Sequence, residues 1–179
     1  MTLVESFVRV ARQRGDKLAV IDRATGQRAT YKAALMRAMI LARKLEAYEP
    51  GFIGVMIPNS AGAVLAVIAS LMSGRVPVMI NYSTGAAQNC ELAQRRLDFR
   101  TILTSRKLLA KIKCPEVDGM VFLEDIAASV SAFAKFTGAL RAGQSADRIL
   151  AALPPGGDDD HAVILFTSGS ERTPKVVPL

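Results

Sequence analysis

The sequence predicts an α/β fold: a mostly parallel sheet with helices on both of its faces. Three observations point there. Short segments that are mostly apolar in consecutive positions, rather than at alternate ones, recur at 52–57, 76–81, 101–104 and 120–123. Segments of helical character separate them, at 61–73, 86–97 and 106–112. Half of the 179 residues are apolar, enough for one substantial core. A strand buried on both faces has no wet side to alternate with, and parallel neighbours need a crossover between them, usually a helix.

The elements follow in order. Residues 3–14 carry Val4, Phe7, Val8, Val10 and Ala11 at helical spacing. Leu18-Ala19-Val20-Ile21-Asp22 reads as a strand, Thr25-Gly26 as a turn and 27–31 as its hairpin partner. The Thr30 hydroxyl can accept from the first free amides of the next helix. That helix runs to about Tyr48, with Leu35, Met39, Ala42 and Leu45 near one face and Lys32, Arg37, Arg43 and Lys44 off it; Pro50-Gly51 ends it. Asn59-Ser60 caps the apolar helix 61–73 and Gly74 stops it. Ser83-Thr84-Gly85 leads into the helix 86–97. Residues 127–152 are alanine-rich and helical, with Val130, Phe133, Phe136 and Leu140 as apolar positions. Residues 154–160, Pro-Pro-Gly-Gly-Asp-Asp-Asp, form a linker whose acidic run suits a solvated loop better than a metal site.

Composition excludes several classes. The formal charge is +7, but the basic residues are scattered over helix faces without a dense stripe or interleaved aromatics, which argues against nucleic acid as a partner. Cys90 and Cys114 have no metal or redox spacing, and a single histidine makes a zinc site a poor expectation. The apolar run 61–72 is about a dozen residues, short of the roughly 20 that span a bilayer. The opening Met1-Thr2-Leu3-Val4-Glu5 has neither a basic leader nor a long apolar core, so no signal peptide is expected. Unpaired thiols suit a reducing compartment. The expected location is the cytoplasm, with the periphery of the inner membrane as the alternative.

The chemistry concentrates near the end of the chain. An apolar strand, Val163-Ile164-Leu165-Phe166, runs into Thr167-Ser168-Gly169-Ser170-Glu171-Arg172-Thr173-Pro174-Lys175. Phosphate groups are held by backbone amides in a concave loop, by hydroxyls and by a cation. Gly169 permits close approach; Thr167, Ser168, Ser170 and Thr173 offer hydroxyls; Lys175 brings a mobile full charge. The segment is not a Walker loop, because no glycine precedes the lysine and Val176-Val177-Pro178 favours extended chain over helix. No G-x-G-x-x-G fingerprint is present. By composition alone, a Ser/Gly-rich turn between two strands explains the segment equally well.

The string Val163 through Glu171 with Pro174-Lys175 resembles the phosphate-loop signature of the adenylate-forming enzymes: acyl-CoA synthetases, luciferases and peptide-synthetase adenylation domains. The resemblance extends to Gly54-Val55-Met56-Ile57-Pro58-Asn59-Ser60 and Gly74-Arg75-Val76-Pro77-Val78-Met79-Ile80-Asn81-Tyr82. Residues 80–89 and Thr101-Ile102-Leu103-Thr104-Ser105-Arg106 look closest to the acyl-[acyl-carrier-protein] synthetases, including the ligase half of 2-acylglycerophosphoethanolamine acyltransferase. It departs from the family at Arg172 and Val176, where glycines are usual, and at Glu171, commonly threonine. Arg172 can touch phosphate or face water.

The resemblance implies a ligase that uses ATP and Mg2+ to activate a fatty acid or other carboxylate as acyl-AMP. The acyl group would then pass to coenzyme A or acyl carrier protein. It implies an ATP phosphate site made of Thr167, Ser168, Gly169, Ser170, Glu171, Thr173 and Lys175, with no catalytic or metal-binding residue in this segment. Residues 1–179 would be the N-terminal portion of the acyl-activating domain, ending just after the phosphate loop, and inactive by themselves. The alternatives from other classes are a non-catalytic α/β module and a different nucleotide-binding NTPase.

Overall fold

A computed structural model describes residues 1–23, 25–157, 160–167 and 174–179. It begins with α1 (Leu3–Gln13), the hairpin β1 (Leu18–Ile21) and β2 (Arg28–Thr30), and α2 (Tyr31–Leu45). There follow β3 (Gly51–Val55), α3 (Ala61–Met72), β4 (Arg75–Met79), α4 (Ala86–Leu97), β5 (Ile102–Thr104), α5 (Arg106–Ile112) and β6 (Met120–Phe122). Three short helices, α6 (Leu123–Ala128), α7 (Ala132–Ala142) and α8 (Ala146–Ala151), lead to β7 (Ile164–Phe166) and β8 (Val176–Pro178).

Local chemistry sets most helix starts. Thr30, Ser60, Ser105, Ser131 and Ser145 each accept a hydrogen bond from the backbone N–H three residues on. Thr2 and Glu5 close a reciprocal capping box on α1. These same caps explain why the helical stretch expected over 127–152 is divided. Ser131 and Ser145 satisfy free amides where one helix stops and the next begins, so α7 and α8 start afresh. The α2 helix also stops at Leu45, earlier than Tyr48, and passes into turns.

The main sheet has the order β6-β5-β3-β4-β7-β8. All pairs are parallel except β7 with β8, which are antiparallel. Right-handed crossovers then fix which face each helix covers. The β3-to-β4 step runs one way across the sheet and puts α3 on one face. The β4-to-β5 step runs back and puts α4 on the other. The two cores follow this division. Val8, Leu35, Ile53, Val55, Met72, Leu103, Ile126 and Ile149 pack between the sheet and α1, α2, α3, α6 and α8. Met56, Val78, Ile80, Cys90, Ile102, Leu108, Phe122 and Ile164 pack beneath α4 and α5. Adjacent strand residues such as Val55 and Met56, or Ile102 and Leu103, enter opposite cores, and all four are at most 1 % exposed. The continuous apolar runs therefore have a structural cause: the strands face dry protein on both sides.

Charged groups hold the loops. Arg75, buried, donates from Nε to the Glu49 carbonyl, from Nη1 to that of Ser73 and from Nη2 to that of Tyr48. Asp22, also buried, accepts from the Thr25 and Ala61 amides and ties the β1–β2 hairpin to the start of α3. The Glu49 carboxylate accepts from the amides of Arg100 and Thr101 and from the Thr101 hydroxyl.

Candidate functional site

The carboxyl ends of β3, β4, β5, β6 and β7 lie along one edge of the sheet, since these strands run parallel. Ligands of open α/β sheets bind at this edge, where neighbouring strands send their connections in opposite directions. The strands β4 and β7 satisfy that condition. After β4 the chain returns across β3 to β5; after β7 it turns outward to β8. The segment leaving β7 is the one singled out in the sequence.

The neck of that segment is described and is closed by two hydrogen bonds. The Thr167 N–H donates to the Lys175 carbonyl at 3.0 Å, and the Lys175 N–H donates to Thr167 Oγ1 at 3.0 Å. Below the neck, Phe166 pairs with Val176, Leu165 with Val177 and Ile164 with Pro178. Val176-Val177-Pro178 is extended strand, as its composition predicts. A hydroxyl that accepts through one lone pair keeps its own O–H for another partner. Thr167 can thus fasten the neck and still donate outward. Ser168, Gly169, Ser170, Glu171 and Thr173, with Arg172, lie outside the described residues.

Val78 of β4 pairs with Ile164 of β7, so the connection that leaves β4 and the neck that leaves β7 emerge from neighbouring strands. The loop after β4 is internally braced. Asn89 Nδ2 donates to the carbonyls of Asn81 and Thr84, each at 2.8 Å, and the Ser83 amide donates to Asn81 Oδ1 at 2.9 Å. Asn81 and Asn89 thus brace the loop that follows β4. The sequence signal was faint, since two asparagines near a turn are common. At the next strand ends, Ser60 and Ser105 are occupied as helix caps, and Thr104, buried, donates its hydroxyl to the Met56 carbonyl.

Large cavities lie elsewhere. A groove of about 800 Å³ lined by Leu3, Arg75, Pro154, His161 and Leu179 sits at the opposite edge of the sheet, against the amino end of β4. The candidate site is therefore defined by backbone topology and donor chemistry. Its described side-chain donors are the Thr167 hydroxyl and the Lys175 ammonium, a pair whose chemistry suits an anion. Among the described residues no group of three His, Cys, Asp or Glu side chains could hold a metal ion. Cys90 is sealed beneath α4 with Sγ 3.5 Å from Met56 Sδ, and burial pushes its thiol up to about 12.

A parallel sheet covered on both faces, with an antiparallel strand pair closed at the carboxyl edge by Thr167 and Lys175, defines an open α/β protein. Within that class the sequence model of the AMP-binding enzymes matches residues 7–179, and the chain belongs to that family. Solved structures share the fold. The N-terminal subdomain of Klebsiella oxytoca NpsA superposes with a TM-score of 0.73 at 18% identity, covering 98% of this chain and 41% of that one. The inhibitor-bound N-terminal domain of FACL13 from Mycobacterium tuberculosis gives 0.72 at 21% identity, covering 100% and 44%. The nonribosomal peptide synthetase FmoA3, bound to alpha-methyl-L-serine-AMP, gives 0.71 at 21% identity, covering 99% and 18%. The chain spans less than half the length of these structures. No helix among the described residues is long and apolar enough to cross a membrane.

Proposed function

We propose that residues 1–179 are the N-terminal portion of the acyl-activating domain of an AMP-forming acid–thiol ligase, with 154–160 as the linker into the loop strand. The carrying observation is the Thr167–Lys175 neck, set at the carboxyl edge of the sheet in a chain of the AMP-binding enzyme family. In the proposed reaction a carboxylate oxygen bonds to the α-phosphorus of ATP as the bond to the bridging oxygen breaks. Pyrophosphate leaves and acyl-AMP forms. A thiolate then attacks the acyl carbon and releases AMP.

This segment would act on the leaving group. Thr167, Ser168, Gly169, Ser170, Glu171 and Thr173 would form the cradle of the β- and γ-phosphates, and Lys175 would offset the charge that grows on pyrophosphate. That contribution is positioning and electrostatics. Magnesium would supply further screening of the phosphates; among the described residues no group of His, Cys, Asp or Glu forms a ligand set for it. For the acid we propose a fatty acid, and for the acceptor coenzyme A or acyl carrier protein, on the similarity of residues 80–89 and 101–106 to the acyl-[acyl-carrier-protein] synthetases. The basic surface suits either acidic acceptor by steering its encounter.

The test uses the full-length protein and carboxylate-dependent exchange of pyrophosphate into ATP. Fatty acids should support exchange. Lys175→Ala should lower it about a hundredfold or more, the scale of losing one transition-state charge partner, with the unfolding midpoint unchanged. Wild-type exchange in that variant would remove Lys175 from the mechanism. Release of ADP without exchange would identify an NTPase, and no nucleotide binding an inert module.

A further inference from the structure

Helix α7 is amphipathic in the unexpected sense. Its small residues Gly138 and Ala142 face the protein and are buried. Its large apolar residues face outward: Phe133 is 75 % exposed, Phe136 62 % and Leu140 60 %. Among the other large apolar residues described, only the terminal Met1 and Leu179 are as exposed, and Ile21 in the β1–β2 hairpin follows at 54 %. Spacings of three and four place the three side chains on one stripe, roughly opposite Gly138.

Packing fixes this orientation. A Cβ on Gly138 would stand 2.7 Å from Ile40 Cγ1, so α7 rests directly on α2 through a position with no side chain. Rotating the helix to bury Phe136 would push a ring where a methyl group does not fit. The apolar stripe is thus held outward by the fold.

The charge around the stripe is predominantly positive. Neither α2 nor α7 contains an acidic residue; together they carry Lys32, Arg37, Arg43, Lys44, Lys135 and Arg141. Arg43, Lys44 and Arg141 line the furrow between the two helices with Phe133, where Glu46 is the single carboxylate. A self-dimer through this face would set cation against cation, and three side chains fall far short of the roughly 20–30 residues a stable interface uses per side. Aromatic and aliphatic side chains on a convex helix, flanked by lysine and arginine, suit the boundary between acyl chains and acidic headgroups.

We propose that α7 docks this protein on an anionic lipid bilayer. Phe133, Phe136 and Leu140 enter the headgroup boundary, and Arg43, Lys135 and Arg141 lie over the anionic headgroups. This contact is independent of the ligase reading, so adenylation can fail while membrane docking survives.

The test is co-sedimentation of the full-length protein with phosphatidylcholine vesicles, with and without phosphatidylglycerol. Phosphatidylglycerol should raise binding about tenfold or more, and high salt should reverse the gain. The triple variant Phe133→Ser, Phe136→Ser, Leu140→Ser should lose about tenfold or more with an unchanged unfolding midpoint, because these side chains are already in water. Arg141→Glu should weaken binding, while Arg95→Glu on α4 should not. Equal binding by the triple variant, or no preference for phosphatidylglycerol, would overturn the proposal. So would a protein dimer that the triple variant dissolves, or burial of these side chains by another part of the full-length chain.

Discussion

Glu49 shows how a single carboxylate can join distant parts of this molecule. Burial would raise its pKa, but hydrogen bonds from its own backbone amide, from Thr101 and from Arg100 outweigh that and hold it below the ordinary glutamate value. The folded protein thus binds the proton more weakly than the unfolded chain. The stabilisation is complete above the ordinary pKa and is lost as pH falls through it toward the lower folded value. In acid-unfolding curves Glu49→Gln should flatten the limb below pH about 5. Glu49→Ala, which strands the buried amide and hydroxyl of Thr101, should cost about 1–3 kcal/mol at neutral pH. Cys90, with its thiol buried and its pKa raised, should resist alkylation in the native protein, while the partly exposed Cys114 is modified first; mass mapping after a timed exposure to iodoacetamide checks this. The caps Thr30 and Ser60 were legible because donor and acceptor lie within one turn. The bonds of Glu49 to Thr101, of Asp22 to Ala61 and of Arg75 to Tyr48 and Glu49 were not, because they join residues far apart in the chain.

For strands and helices, legibility followed the same division. The helices 86–97 and 106–112 have the expected bounds, set by local glycine, serine and apolar spacing. Alanine supports helix throughout 127–152, so composition alone predicts one helical region; the serines that restart it count only once the chain must fold back over the sheet. Gly54 is explained by packing. A Cβ there would stand 2.9 Å from Ile102 Cγ1 and from Ile80 Cδ1, and 3.2 Å from Phe99. Gly54→Ala should destabilise by about 1–3 kcal/mol, the usual cost of overfilling a tight core. Gly119 is stricter: its φ is +83°, and a side chain would run into the Arg100 carbonyl oxygen. Gly119→Ala should therefore displace β6 from β5, and the variant should lose more stability than Gly54→Ala in denaturant titrations. Ser60→Ala should cost about 1 kcal/mol, the value of an N-cap.

Across the whole molecule, the two-sided parallel sheet could be read in advance, because dry strands and helical crossovers leave few topologies. The strand order could not, since nothing in β7 names β4 as its neighbour. That adjacency also bears on how the chain reaches its native state. Ile164 pairs with Val78 only after α4, β5, α5, β6 and α6 to α8 have been threaded between them. The β7–β8 hairpin, by contrast, closes over a short span. Loop-closure entropy makes the distant pairing slow. In pulse-labelled refolding the amides of β3 should gain protection before that of Ile164. The carboxyl edge would then be completed last, by a hairpin that is already formed when it arrives.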